Sequence, residues 1–179
     1  FGTDLYDRRY EADLADNLGN LLQRTVKMVG KYRDGAVPEG TDAGGDLAGP
    51  LAASGAAVAA RYGAALEGFD PQGMILAAQD LLREANRTVD RAQPWVLAKH
   101  PKEAARLDGV LASLVEALRL AADALLPVMP EAAAEIRARL GVPADAAQDL
   151  AWRPRLAGAR VRDGSPLFPG IAMIASLCV

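Results

Sequence analysis

The chain is poor in the residues on which metal and redox chemistry depend: among 179 residues there is one cysteine, Cys178, and one histidine, His100. A lone thiol closes no intramolecular disulfide and forms no CxxC pair, and a lone imidazole leaves no multi-ligand zinc site, so the interior of a cell is the expected compartment. Aromatic residues make up only 5%. Long β-branched runs and closely spaced alternating segments are missing, which excludes an all-β fold. A membrane span is missing too: the longest candidate, Gly109 to Met129, is interrupted by Glu116, Arg119 and Asp123, each costly in hydrocarbon, and reads as a helix in water. The chain opens Phe1-Gly2-Thr3-Asp4 without an initiator methionine, a basic leader or an apolar signal core, and is expected to be a fragment of something longer.

What is present is helix-forming. Alanine occupies 37 positions, and the 51% hydrophobic content comes mainly from residues of high helical propensity. With 20 Lys+Arg against 23 Asp+Glu the net charge is -3, which fits one globular domain: a bundle over 1–150 and an irregular tail over 151–179.

No proline interrupts Thr3 to Asp34, where Leu14, Leu18, Leu21, Leu22, Thr25, Val29 and Tyr32 recur mostly every three or four residues. That spacing predicts a long amphipathic helix ending at Asp34-Gly35, because glycine accepts the left-handed conformation and Pro38 blocks resumption. Gly40 to Gly49 carries neither GxGxxG nor GxxxxGK and is expected to be a connecting loop, not a phosphate cradle. A second, alanine-rich helix is expected from Pro50 to Leu66. Asp70-Pro71 reads as an N-cap and first helical residue of a third, which Pro94 disturbs. A fourth restarts at His100-Pro101 and ends at Pro127 and Pro130; a fifth covers Glu131 to Leu140 and closes at Gly141. Turn formers then scatter among isolated apolar residues, as in Trp152-Arg153-Pro154 and Phe168-Pro169-Gly170. The expected architecture is an all-α bundle of about five helices with an irregular C-terminal tail and no repeat.

Opposite the apolar stripe of the first helix stand Asn20, Arg24, Lys27 and Lys31. Such a face is usually just solvated. Yet an amide and a planar guanidinium one turn apart suit the edges of nucleic-acid bases. Trp95, directly after Pro94 and ahead of Lys99, His100 and Lys102, reads either as core or as a stacking platform for an unpaired base. From Arg83 to Arg106 six Lys/Arg stand against three acids, and from Arg137 to Arg162 six against two, so basic patches occur on a mildly acidic chain.

Three blocks carry a resemblance: Ala12-Asp13-Leu14-Ala15-Asp16-Asn17-Leu18-Gly19-Asn20-Leu21-Leu22-Gln23-Arg24 continuing to Tyr32-Arg33-Asp34-Gly35, then Ala85-Asn86-Arg87-Thr88-Val89-Asp90-Arg91-Ala92-Gln93-Pro94-Trp95-Val96-Leu97-Ala98-Lys99, and Leu118 through Leu126-Pro127-Val128-Met129-Pro130-Glu131. The chain resembles the C-terminal anticodon-binding domain of the methionyl-tRNA synthetases over roughly positions 1 to 170. The resemblance implies the helical bundle of class I synthetases and a role in reading methionine tRNA. In that family the residues matching Asn20, Arg24 and Trp95 contact the anticodon bases; Pro94 would fix the backbone presenting the indole, and Lys27 and Lys31 would support through phosphates. The implied partners are the anticodon loop of methionine tRNA and the catalytic domain of a cytoplasmic parent enzyme, toward which the tail with Trp152 and Pro166-Leu167-Phe168-Pro169 would fold back. Neither a membrane nor DNA is implied.

The parent reaction uses ATP and magnesium, but no HIGH-type sequence occurs here, and Lys27-Met28-Val29-Gly30-Lys31 matches KMSKS only by chance, lying in a helix and lacking the serines. No cofactor and no catalytic residue are therefore expected in this chain, and the lone His100 reads as a helix-start residue. The tail departs from the family in reading Gly170-Ile171-Ala172, where members commonly carry a basic residue and an acid. The alternative is a free-standing helical module of the same fold that binds tRNA, or a protein through the apolar Met173 to Val179. Asn20, Arg24 and Trp95 are expected to lie close together on the surface.

Overall fold

The structure, a computed structural model, describes residues 17–40 and 45–168. Among these residues a π turn at 17–19 leads into six α-helices in order: α1 Asn20–Arg33, α2 Gly45–Glu67, α3 Pro71–Ala92, the single-turn α4 Pro94–Leu97, α5 Ala104–Leu125 and α6 Pro130–Arg139, with a 3-10 turn at Pro101–Glu103 before α5. Among the described residues there is no strand, only one isolated bridge between Ala36 and Arg160. The fold is the all-α bundle that the spacing of apolar residues predicts.

Punctuation residues act where their chemistry dictates. Asp34 and Gly35 take positive φ at the end of α1, at 50° and 79°, and Lys31 and Arg33 occupy the last turn, where the helix dipole favours cations. The Asp70 side chain accepts from the Gly73 amide at 2.9 Å, and Pro71 opens α3. The part of the first helix expected before Asn17 lies outside the described residues.

Two expected boundaries shift. Helix α2 begins at Gly45 and not Pro50, so Gly45 to Gly49 is helix and not loop, while residues 41–44 lie outside the described part. Asp46 in the first turn suits the positive end of the dipole, Arg106 reaches its carboxylate at 2.9 and 3.0 Å, and Arg91 donates to the Leu47 carbonyl. These long-range holds offset the glycines and Pro50. The fourth helix proper starts at Ala104, preceded by the 3-10 turn, because Pro101 supports a tight turn without an amide donor.

Helix α5 is the axis of the bundle, buried continuously from Gly109 to Leu125, with α2, α3 and α6 packed around it and α1 on one side. Continuous burial includes Glu116, Arg119 and Asp123, which are 1%, 3% and 1% exposed. No described helix is long and apolar enough to cross a membrane. The three charges form a compact network: Arg119 donates to both Glu116 oxygens, at 2.7 and 2.9 Å, and to Asp123 at 2.7 Å, while Arg137 of α6 also pairs with Asp123. Burial opposes the charge on Arg119, but the Glu116 and Asp123 carboxylates outweigh it and hold its pKa above the ordinary guanidinium value.

The same network fastens the irregular segment after Leu140. Arg119 donates to the carbonyls of Asp149 and Ala151, the Asp149 amide donates to Asp123 at 2.9 Å, and the Arg153 amide donates to Glu116 at 2.9 Å. Trp152 then lies on Gly55 of α2 so closely that a Cβ there would stand 1.9 Å from its ring. Farther on, the segment clasps the end of α1: Val37 donates to Ala159, Gly158 to Val37, Val161 to Gly35, and Arg160 to the Asp34 carbonyl at 2.7 Å. The expected irregular tail is thus an ordered strap through Phe168. The apolar ending Met173 to Val179, with Cys178, lies outside the described residues.

Candidate nucleic-acid interface

The face of α1 divides as its sequence requires. Leu21, Leu22, Thr25, Val26 and Val29 turn inward, while Asn20, Arg24, Lys27 and Lys31 are exposed. A guanidinium nitrogen of Arg24 stands 4.0 Å from an Asp90 oxygen on α3, and the two side chains are 45% and 76% exposed. In water such a pair orients more than it stabilises. The Lys31 ammonium lies 5.5 Å from the centre of the Tyr32 ring.

Trp95 occupies a corner. Helix α3 ends at Gln93, whose φ of 44° is left-handed and whose amide closes on the Val89 carbonyl. Pro94, buried, opens α4, and Leu97 of the same turn is buried as well. Two anchored residues therefore hold a turn from which Trp95 and Val96 project, at 41% and 38% exposure. Lys99, His100 and Lys102 follow, all exposed. Of the two readings of Trp95, a filled core is not what the side chain makes: much of the indole meets solvent, where a base could lie on it.

The geometry links α1 to this corner through α3. Asp90, five residues before Trp95 in the chain, faces Arg24, so the cation of α1 and the indole of α4 flank the same end of α3. Asp90 is a residue that sequence reasoning did not single out. Its position one turn before Gln93 was visible, but not its approach to Arg24. Chemically the edge offers a planar donor fork, an aromatic face and lysines suited to phosphate. Among the described residues no three His, Cys, Asp or Glu side chains group as metal ligands would.

No family profile matches the chain. It is 38% identical over 170 residues to the methionine–tRNA ligase of Deinococcus radiodurans, an alignment covering 94% of this chain and 25% of that protein. Against the methionine–tRNA ligase of Streptococcus pyogenes serotype M1 the identity is 36% over 179 residues, covering 99% of this chain and 27% of the relative. The chain thus spans about a quarter of the length of these relatives. In three dimensions it matches the free-state methionyl-tRNA synthetase of Mycobacterium tuberculosis with a TM-score of 0.83 and 31% identity, over 95% of this chain and 35% of that one. The same enzyme bound by methionyl-adenylate gives 0.81, over 94% and 34%. Across nearly its whole length, in sequence and in helical architecture alike, this chain is a relative of one segment of those ligases and belongs to the methionine–tRNA ligase family.

Proposed function

We propose that this chain is the anticodon-recognition segment of a cytoplasmic methionine–tRNA ligase. It selects and positions tRNA, while the joining of methionine to the tRNA 3′ end, with ATP and magnesium, belongs to a catalytic domain elsewhere in the parent. The observation that carries the reading is the exposed Trp95 indole at a rigid proline corner, next to the helix end that faces Arg24. An anticodon loop presents unstacked bases, and RNA-binding domains take such bases by stacking on aromatic faces and by hydrogen bonds to their edges. Asn20 and Arg24 supply the edge contacts, Trp95 the face, Pro94 the backbone that presents it, and Lys27 and Lys31 the phosphate attraction. The partners are the methionine-tRNA anticodon loop and, through the strap, the parent's catalytic domain.

Trp95→Ala separates this from a purely structural indole. The expected loss is about 1–3 kcal/mol of binding to a stem-loop bearing the methionine anticodon, with an unchanged melting temperature. Lys27→Ala and Lys31→Ala should weaken matched and altered loops alike, because phosphate contacts carry little sequence information. A Trp95→Ala protein that melts earlier but keeps its anticodon selectivity would overturn the proposal.

A further inference from the structure

We propose that Asn86 is a positioning residue for RNA reading, setting the rotation and axial register of α1 against the α3–α4 corner that presents Trp95. The inference rests on the reading above. Asn86 lies on α3 and is half-buried; its side-chain nitrogen donates to the Asn17 side-chain oxygen at 2.7 Å, to the Asn17 carbonyl at 3.0 Å and to the Leu82 carbonyl of its own helix at 3.1 Å. The bond to Leu82 holds the amide in one orientation, so both bonds to Asn17 tie the turn leading into α1 to a fixed point.

Position makes the tie consequential. Asn20 and Arg24 are one turn apart on one stripe of α1, about 6 Å apart along its axis, and Asn17 opens the π turn of residues 17–19 that leads into that helix. On α3, Asn86 and Asp90 are likewise one turn apart on one stripe. The α3 stripe meets this part of the chain twice: at Asn17, just ahead of α1, with Asn86 through short, partly buried bonds, and at Arg24 of α1 with Asp90 across 4.0 Å in solvent. The first junction is firm and the second is free to change. A reading helix needs this division, because Arg24 must turn toward a base while the backbone beneath it stays where it is.

Apolar packing alone fixes this less well. The inward residues of α1 are leucines, valines and one threonine, Thr25, whose hydroxyl is buried without a hydrogen-bond partner. Such a surface tolerates small slides, whereas an amide bonded to both a side chain and a carbonyl does not. A shift of one residue turns the stripe by 100° and would carry Arg24 off the edge.

The test uses the full chain and two anticodon stem-loops, one with the methionine anticodon and one with a single base altered. Asn86→Asp keeps the shape but replaces the donating NH2 by an oxygen that faces the two Asn17 acceptors; Asn17→Ala removes the side-chain acceptor and leaves the Asn17 carbonyl. Both should lower the ratio of matched to altered binding on the order of tenfold, short of the hundredfold that a full 1 Å misplacement can cost. Adding either change to Arg24→Ala should lower the ratio less than twofold further, since the amide acts through where Arg24 sits. Variants that melt earlier yet keep the ratio, or changes that add fully to Arg24→Ala, would overturn the role of Asn86. If Arg24→Ala itself leaves the ratio intact, the anticodon reading falls first; if Arg24→Ala loses it and Asn86→Asp does not, only this inference falls.

Discussion

Charge is used in two opposite ways on two sides of this bundle. Beneath the strap, Arg119 and Asp123 are 3% and 1% exposed, and every guanidinium nitrogen of Arg119 has a protein partner. At the α1–α3 edge, Arg24 and Asp90 face each other across 4.0 Å while remaining largely in water. The same residue types thus serve different ends. Ions withdrawn from water and fully bonded dictate one arrangement of the chain, because any other arrangement strands a charge. Ions left in water hold one another weakly and can be taken over by a third party at little cost.

The contrast breaks most sharply at Asp123, which pairs with two arginines and accepts the Asp149 amide. Asp123→Ala should cost about 3–5 kcal/mol in denaturant unfolding, since it leaves buried cations short of a partner. A loss under about 1 kcal/mol would mean that the network is dispensable. Next comes the packing of the strap: Gly55→Ala places a methyl where Trp152 lies and should cost about 1–3 kcal/mol, with most of that recovered in a Gly55→Ala, Trp152→Ala double variant relative to Trp152→Ala alone. Purely additive melting temperatures would show that the two do not touch.

On the open edge the expected stability change is far smaller. Arg24→Ala should alter unfolding by less than about 0.5 kcal/mol while anticodon selectivity falls; a large drop in stability would erase the difference between the two sides. The smallest effect concerns acid. The Asp149 carboxyl is held down to about 2, from an ordinary 3.8, first by the Ala151 amide and then by Arg155. A depressed carboxyl pKa adds stability that is complete above the unfolded value and disappears as pH falls through the folded one. Acid titration followed by circular dichroism should therefore show strap loosening between pH 3.8 and about 2, and Asp149→Asn should flatten the curve in that window.

Much of the bundle is legible in the sequence because it rests on local chemistry. Apolar spacing exposes α1, α3 and α5; Asp70-Pro71, Asp34-Gly35 and Gly141 punctuate as their capping chemistry requires. The sequence pattern places the start of helix α2 at Pro50, five residues late, because Asp46 and Leu47 are held from elsewhere in the chain, by Arg106 and Arg91. Glu116, Arg119 and Asp123 were visible as charges in an apolar run, and they argued against a membrane span. That they would be buried was not visible, since their partners Arg137, Asp149 and Arg153 lie on other elements. At the candidate site, Asn20, Arg24 and Trp95 stand out by residue type and spacing. Asn86 and Asp90 do not, because what distinguishes them is the approach of α3 to α1, and no periodicity encodes that.

The clasp between the strap and the end of α1 bears on how the chain opens and closes. Arg160 and Asp34 are 126 positions apart, yet between them lies a bundle that must already be assembled before the strap has anything to grip. No apolar residue of the described strap is fully buried, so it has the low local stability of a segment that detaches as one cooperative unit while the helices persist. In native-state hydrogen exchange the amides of Val37, Gly158 and Val161 should then share one protection factor, well below that of the α5 interior, and should be the last to regain it on refolding.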